Sequence, residues 1–302
     1  MIEHVRKRLV GIKRVMQEKS STLSNPFFIF CFVWLVGWRN EYIRYRWCGR
    51  RLLGKLLHIK PISSFRLTGT GVLLLFSEDS VVKVPLSRIA EAALQRNFHH
   101  YRMLKESHLS HYVSYRLEPG DGFYHMDRLC PASDPVEAVA SVVDAFEALT
   151  PSVRMPVRVL GKKCATGVAV LQRFSGMNIQ VPVSAVIHTS AMHGDLTEHN
   201  VMTDAAGQVV LIDLERFDFD GIAGIDLIHF EVNRESTGKH CSFTECLPEF
   251  VKRGYDRDIL IVYLLYRLGV EHNDGVRLPD SYYRRAYHAY KCLLAMVVKS
   301  CQ

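Results

Sequence analysis

No stretch of 18 or more uncharged apolar residues occurs in this 302-residue chain, which excludes a polytopic membrane protein. Its eight cysteines include no Cys-x-x-Cys pair and no zinc-finger spacing. Cys241 and Cys246 are the nearest two, and such a pair alone is a weak metal signal. Scattered cysteines without a cleavable secretory signal read as reduced, mostly buried thiols of a cytoplasmic protein. Internal repeats and low-complexity tracts are absent as well. Apolar residues make up 48% and charged residues 23%, so whole-chain disorder, collagen and a disulfide scaffold are ruled out. What remains is a globular chain of one large or two modest domains.

Acidic residues are scarce at one end only. Residues 1–60 carry 13 Lys and Arg against three Asp and Glu, while the rest of the chain carries 25 against 28. The overall charge of +7 therefore belongs to the N-terminal extension, and a nucleic-acid partner inferred from it would be a mistake. Within that extension, residues 27–38 read FFIFCFVWLVGW. A helix of that length reaches about 18 Å, short of a roughly 30 Å hydrocarbon core. Arg39, Arg44, Arg46, Arg50, Arg51 and Lys55 follow, interleaved with Tyr42, Tyr45 and Trp47. That mixture suits a segment lying on an anionic membrane surface at the cytoplasmic face. Equally, the run can pack on the globular body as a buried helix or dock a partner.

From Pro61 the texture changes. Residues 65–67, 72–76 and 81–84 read as three short strands, joined by Thr68-Gly69-Thr70-Gly71 and by Glu78-Asp79, which is an antiparallel meander. Residues 87–106 predict a helix with Ser87 as N-cap and Ile89, Ala93, Phe98, Tyr101 and Leu104 facing inward. Residues 123–126 read as a further strand running into Asp127. Beyond Pro135 the chain is mainly helical, over 135–149, 225–234, 257–268 and 281–299, with strand-like pieces at 201–203 and 209–212. The fold class is α+β: a small antiparallel sheet lobe over 61–130 and a larger, mostly helical lobe over 131–302.

Chemistry concentrates in His193-Gly194-Asp195-Leu196-Thr197-Glu198-His199-Asn200, followed by Leu211-Ile212-Asp213-Leu214-Glu215. Asp195, Asn200 and Asp213 fall at loop or strand-end positions, where polar side chains can converge on a ligand. A carboxylate five residues before an amide, with a second carboxylate after an apolar strand, suits phosphoryl transfer. One carboxylate orients the attacking hydroxyl and accepts its proton; the amide oxygen and the other carboxylate are hard oxygen ligands for Mg²⁺. In the sheet lobe, Gly69 and Gly71 lie between the first two strands, where absent side chains let backbone N–H groups approach phosphates. Lys83 sits mid-strand with Val82 and Val84 pointing the other way, which places its ammonium on the side of the glycine turn.

These motifs resemble the aminoglycoside phosphotransferase and choline kinase group within the protein-kinase-like fold. The resemblance rests on HGDLTEHNVM and LIDLE and covers roughly residues 65–235; it leaves out residues 1–60. It implies ATP as phosphoryl donor, Mg²⁺ as cofactor, Asp195 as catalytic base, Asn200 and Asp213 as metal ligands, and His193 as the residue holding the loop. It further implies that Lys83 contacts the α- and β-phosphates with a helix glutamate as its partner. Glu91 is the choice here, although the family's spacing points nearer Asn97. Asp127 falls in the segment resembling the adenine-binding hinge, and Asp226 matches an aspartate that braces the catalytic loop. The dipeptides His-Gly before Asp195 and Leu-Glu after Asp213 favour the small-molecule branch over protein kinases.

The acceptor is less constrained. Glu198, Glu215, Asp218 and Asp220 can supply an acidic pocket for a cation. Yet Arg216 and Arg234 are interspersed with them, and the extension is basic. That combination favours an anionic, membrane-linked acceptor, such as a sugar of a lipopolysaccharide or another surface glycan, an expectation that the wording Gly-Ile-Asp-Leu-Ile-His-Phe shares by analogy. A protein kinase and an inactive kinase-like membrane scaffold are the alternatives. The first lacks its activation segment, and the second has no need of Lys83, Asp195, Asn200 and Asp213 together.

Overall fold

The computed structural model describes residues 62–68, 70–149, 153–182, 187–274 and 278–296, together with Ile29. Gly69 lies outside the described residues, and so does the N-terminal extension on which the membrane-surface reading depends. Of residues 27–38 only Ile29 is described, and it is buried. The chain divides into two compact units, one reaching Cys130 and the other starting at Pro131, with Asp204–Ala206 grouped with the first. Among the described residues no helix is long and apolar enough to cross a membrane.

The first unit is an antiparallel sheet of β1 (Ser64–Leu67), β2 (Val72–Phe76), β3 (Ser80–Pro85), β4 (Leu117–Pro119) and β5 (Tyr124–Asp127), in the order β1-β2-β3-β5-β4. The short turns force the meander β1-β2-β3, with Leu67 opposite Leu73 and Leu73 opposite Val84. One helix, α1 (Arg88–Lys105), follows β3. Its N-cap, Ser87, accepts from the Ala90 N–H at 3.0 Å and donates to the Thr70 carbonyl at 2.9 Å, so one hydroxyl caps the helix and ties it to the β1–β2 turn.

The buried stripe of α1 differs from the sequence expectation. Ala90, Leu94, Asn97, Tyr101 and Leu104 face inward, whereas Ile89, Ala93 and Phe98 are only half-buried. The stripe keeps strict helical spacing, but a polar Asn97 occupies its middle and hides its phase from an apolar pattern. Only the last two predicted positions coincide.

The second unit contains α2 (Pro135–Leu149), α3 (Val157–Ser175), β6 (Thr189–Met192), β7 (Val201–Thr203), β8 (Val209–Leu211), β9 (Asp218–Ile222), α4 (Ile225–Lys239), α5 (Phe243–Lys252), α6 (Arg257–Asn273) and α7 (Asp280–Ala295). Two antiparallel pairs, β6 with β9 and β7 with β8, lie among the helices. Helix α6 is the centre of the core: Leu260, Ile261, Val262, Tyr263, Leu264 and Leu265 are all at most 1% exposed, the pattern of a helix covered on every side. It meets α3 where two glycines face each other. A Cβ on Gly167 would lie 1.8 Å from the Leu265 carbonyl oxygen, and one on Gly269 2.9 Å from the Gly167 nitrogen. The backbones therefore touch, and a side chain at either position would drive the helices apart.

Candidate active site

Strand β6 delivers the chain into His193, Gly194 and Asp195, and the loop they form is held from below. His193 is fully buried. Its Nδ1 accepts from the Asp195 N–H at 3.3 Å, and its Nε2 lies 2.8 Å from the Ile212 carbonyl. An amide can only donate and a carbonyl only accept, so the ring is the neutral tautomer with its proton on Nε2. Asp226, the second residue of α4, accepts from the backbone N–H of His193 at 2.5 Å and of Gly194 at 2.9 Å. Burial pushes its carboxyl up, opposed by the hydrogen bonds from the two amides. Gly194 is needed twice over: its φ is +78°, and a Cβ there would sit 2.6 Å from the Arg216 carbonyl oxygen.

Asn200 and Asp213 are brought together by the β7–β8 pair. Val201 lies opposite Leu211, and one step further the Ile212 N–H donates to the Asn200 carbonyl at 3.1 Å. The Asn200 amide has a fixed orientation, because its Nδ2 donates to the Asp195 carbonyl at 2.8 Å; the atom left to meet a ligand is Oδ1. Asp213 has φ +59°, one of two non-glycine residues with positive φ among those described. A left-handed aspartate is tolerated at some cost, and such strain gathers where a side chain must be aimed.

Asp195 is clamped by Arg267 and His229, which the sequence reading passed over, and by Arg216, which it had placed with the acceptor. All three face Oδ1: Arg267 Nη1 donates to it at 2.9 Å, while Arg216 Nη1 and His229 Nε2 each lie 3.1 Å away without the alignment of a hydrogen bond. Each is supported in turn. Arg267 pairs with Glu271 at 3.0 Å, Arg216 with Asp274, and His229 Nδ1 meets the Tyr263 hydroxyl at 2.9 Å. Burial alone would raise the Asp195 carboxyl, but the His229 imidazole and the two guanidiniums outweigh it and hold it well below the usual carboxylate range. The carboxylate is a quarter exposed, and among the described residues no donor lies on Oδ2.

One signal for the clamp was present. Arg267 is the lone cation within the run of α6 from Ile259 to Val270, and a cation there demands an anionic partner. Which anion it meets is a matter of tertiary packing.

Burial, followed by repulsion from Arg267, lowers the His229 pKa to about 4, against the pull of Asp195. In the unfolded chain the same imidazole titrates near 6.5. Between those values the unfolded state binds the extra proton, so the contribution is complete above about pH 6.5 and is lost as pH falls toward 4. The loss amounts to roughly 3 kcal/mol. Urea unfolding of the protein and of His229→Gln at neutral pH and near pH 4.5 tests it: the variant should show a clearly shallower acid decline.

The remaining predicted residues are placed as follows. Lys83 is 3% exposed in β3, and Val82 and Val84 are equally buried, so both faces of this strand are covered. Gly71 has φ +92°; its N–H already donates to Thr68 at 3.2 Å, and its carbonyl accepts from Leu86 at 2.8 Å. Glu91 is exposed in the first turn of α1, while Asn97 is buried on the same helix. The Asp127 carboxylate accepts from the Arg116 N–H at 2.8 Å and pairs with its guanidinium, which closes the β4–β5 end. Asp218 pairs with Lys163 at 2.6 Å and Glu198 with Arg234 at 2.9 Å, so both carboxylates are already neutralised.

Comparison with known proteins gives likenesses of structure only. No family model and no curated protein matches the chain. Among solved structures, choline kinase LicA from Streptococcus pneumoniae is similar at 15% identity and a TM-score of 0.45, covering 82% of this chain and 99% of that one. An ADP-bound aminoglycoside phosphotransferase APH(2'')-Ib is similar at 13% identity and a TM-score of 0.44, covering 80% and 96%. An aminoglycoside-3'-phosphotransferase of type VIII follows at 17% identity and 0.40, covering 80% and 97%. At these levels the chemistry has to rest on the geometry of the site.

Proposed function

We propose that this chain is an ATP- and Mg²⁺-dependent phosphotransferase that moves the γ-phosphoryl group onto a hydroxyl of a small molecule or glycan. The observation that carries the reading is the set of Asp195, Asn200 and Asp213 on one braced loop and one strand pair. Asp195 has one oxygen, Oδ1, faced by Arg267, Arg216 and His229, which leaves Oδ2 to receive the acceptor hydroxyl. A carboxylate this acidic keeps no proton before the reaction. It orients the hydroxyl and takes its proton late, when the new O–P bond is forming and the bond from the γ-phosphorus to the departing diphosphate is breaking. A loose phosphoryl transition state asks for little more than this.

Among the described residues no group of three or more His, Cys, Asp or Glu could hold a metal by itself. Two oxygen donors are the usual protein share for Mg²⁺, whose other positions go to water and phosphate, and Asn200 Oδ1 with the Asp213 carboxylate fits that share. When bound, Mg²⁺ offsets the negative charge of the phosphate oxygens. Lys83 and the Gly69–Gly71 turn are the groups assigned to the nucleotide phosphates. We assign the acceptor to an anionic, membrane-linked class, a lipopolysaccharide or other surface-glycan sugar, with residues 1–60 holding the protein at an anionic surface. The basic extension supports that assignment.

The test is phosphate transfer from labelled ATP to a panel of sugars, lipid-linked glycans, choline and aminoglycosides, offered free and on anionic vesicles. Vesicle-borne glycans should give the fastest transfer, and it should require Mg²⁺. Preference for choline or an aminoglycoside would overturn the acceptor class, and absence of any ATP turnover would overturn the reading itself.

A further inference from the structure

Cys241 and Cys246, unremarkable in sequence, meet in the fold. Helix α4 ends at His240, whose left-handed φ of +55° turns the chain, and α5 starts with Ser242 as N-cap. Ser242 and Glu245 form a reciprocal capping box, with the Ser242 N–H donating to Glu245 Oε2 at 2.8 Å. Cys241 thus stands just before the cap and Cys246 at the fourth helical position, the two places where a staple of apolar side chains ordinarily closes a helix start. Here the staple consists of two sulfurs, 3.2 Å apart. Cys246 is 4% exposed within the core of this unit, while Cys241 is only half-buried against it.

We infer that Cys241 and Cys246 are an oxidisable dithiol, which closes to a disulfide when Cys241 meets a small disulfide such as glutathione disulfide. The Cys241 sulfur attacks one sulfur of the oxidant, forming a mixed disulfide and releasing one glutathione thiol that takes up the proton. The Cys246 sulfur then attacks the Cys241 sulfur, loses its proton and expels the second glutathione as its thiol. Two protein thiols are oxidised and one small disulfide is reduced. Closure needs the sulfurs to approach by about 1 Å, to a bond of about 2.05 Å, a distance that side-chain rotation supplies without disturbing the capping box. Burial pushes the Cys246 thiol up to about 12, so that thiol rests protonated, and the partly exposed Cys241 is the point of entry.

The experiment uses the full chain, reduced and then incubated with glutathione disulfide, alkylated with iodoacetamide and digested with trypsin. Both cysteines fall in one peptide, residues 240–252, between Lys239 and Lys252. After oxidation most of this peptide should be unalkylated and two hydrogen masses lighter than its reduced form, and dithiothreitol should restore two alkylation sites. In Cys246→Ala the glutathione adduct on Cys241 should persist instead. A wild-type peptide that still carries two alkyl groups, or one that stops at the glutathione adduct without closing, overturns the inference.

Discussion

Replacing Asp195 by Asn abolishes phosphoryl transfer while leaving nucleotide binding in place: the expected loss in rate is about 10²–10⁴. The substitution keeps the shape of the side chain but removes the proton acceptor. It also removes the anion between Arg216 and Arg267, whose side chains are 14% and 12% exposed. Each arginine keeps a second carboxylate, Arg216 that of Asp274 and Arg267 that of Glu271, so the variant should melt only modestly earlier, and a thermal melt run beside the transfer assay separates lost stability from lost chemistry. Unchanged turnover by Asp195→Asn would remove Asp195 from the reaction.

Asp213→Ala should eliminate the Mg²⁺ dependence of nucleotide binding. One of two oxygen donors disappears, and the amide oxygen of Asn200 alone is a poor site for a cation that gives up water reluctantly. Alanine also pays for the left-handed φ of +59° at this position, about 1–2 kcal/mol. Asp213→Gly carries no such penalty and serves as the companion variant. Nucleotide titrations with and without Mg²⁺ should show the same loss for both, which then belongs to the carboxylate and not to the backbone. Retention of the Mg²⁺ effect in the glycine variant would move the metal site elsewhere.

Local signals made the sheet and the loop residues legible. The strands at residues 72–76 and 201–203 emerge where expected, because short apolar runs bounded by turn residues have few other ways to fold. Helix α3 escaped the sequence reading. Gly161 and Gly167, with Lys162 and Lys163 between them, read as a broken pattern until the packing on α6 shows why a glycine is required. Helix α5 was hidden by Pro248 in its middle, and strands β6 and β9 by their small and acidic residues. Asp127 was expected near adenine because its segment resembles the adenine-binding hinge; its pairing with Arg116 across the sheet is invisible along the chain.

By itself the sequence determined which residues to propose for the chemistry: Asp195, Asn200 and Asp213 stand at turn and strand-end positions whose spacing follows from local hydrogen bonding. It also determined the α+β class, since the period of the apolar pattern changes from two to nearly four after Pro135. Only the tertiary structure decided the state of those residues. Arg216, His229 and Arg267 lie between 21 and 72 positions away from Asp195, and nothing local links them to it. His229 and Arg267 converge on it because α4 and α6 pack beside the loop, Arg216 reaches it from the segment before β9, and that convergence holds the carboxylate charged.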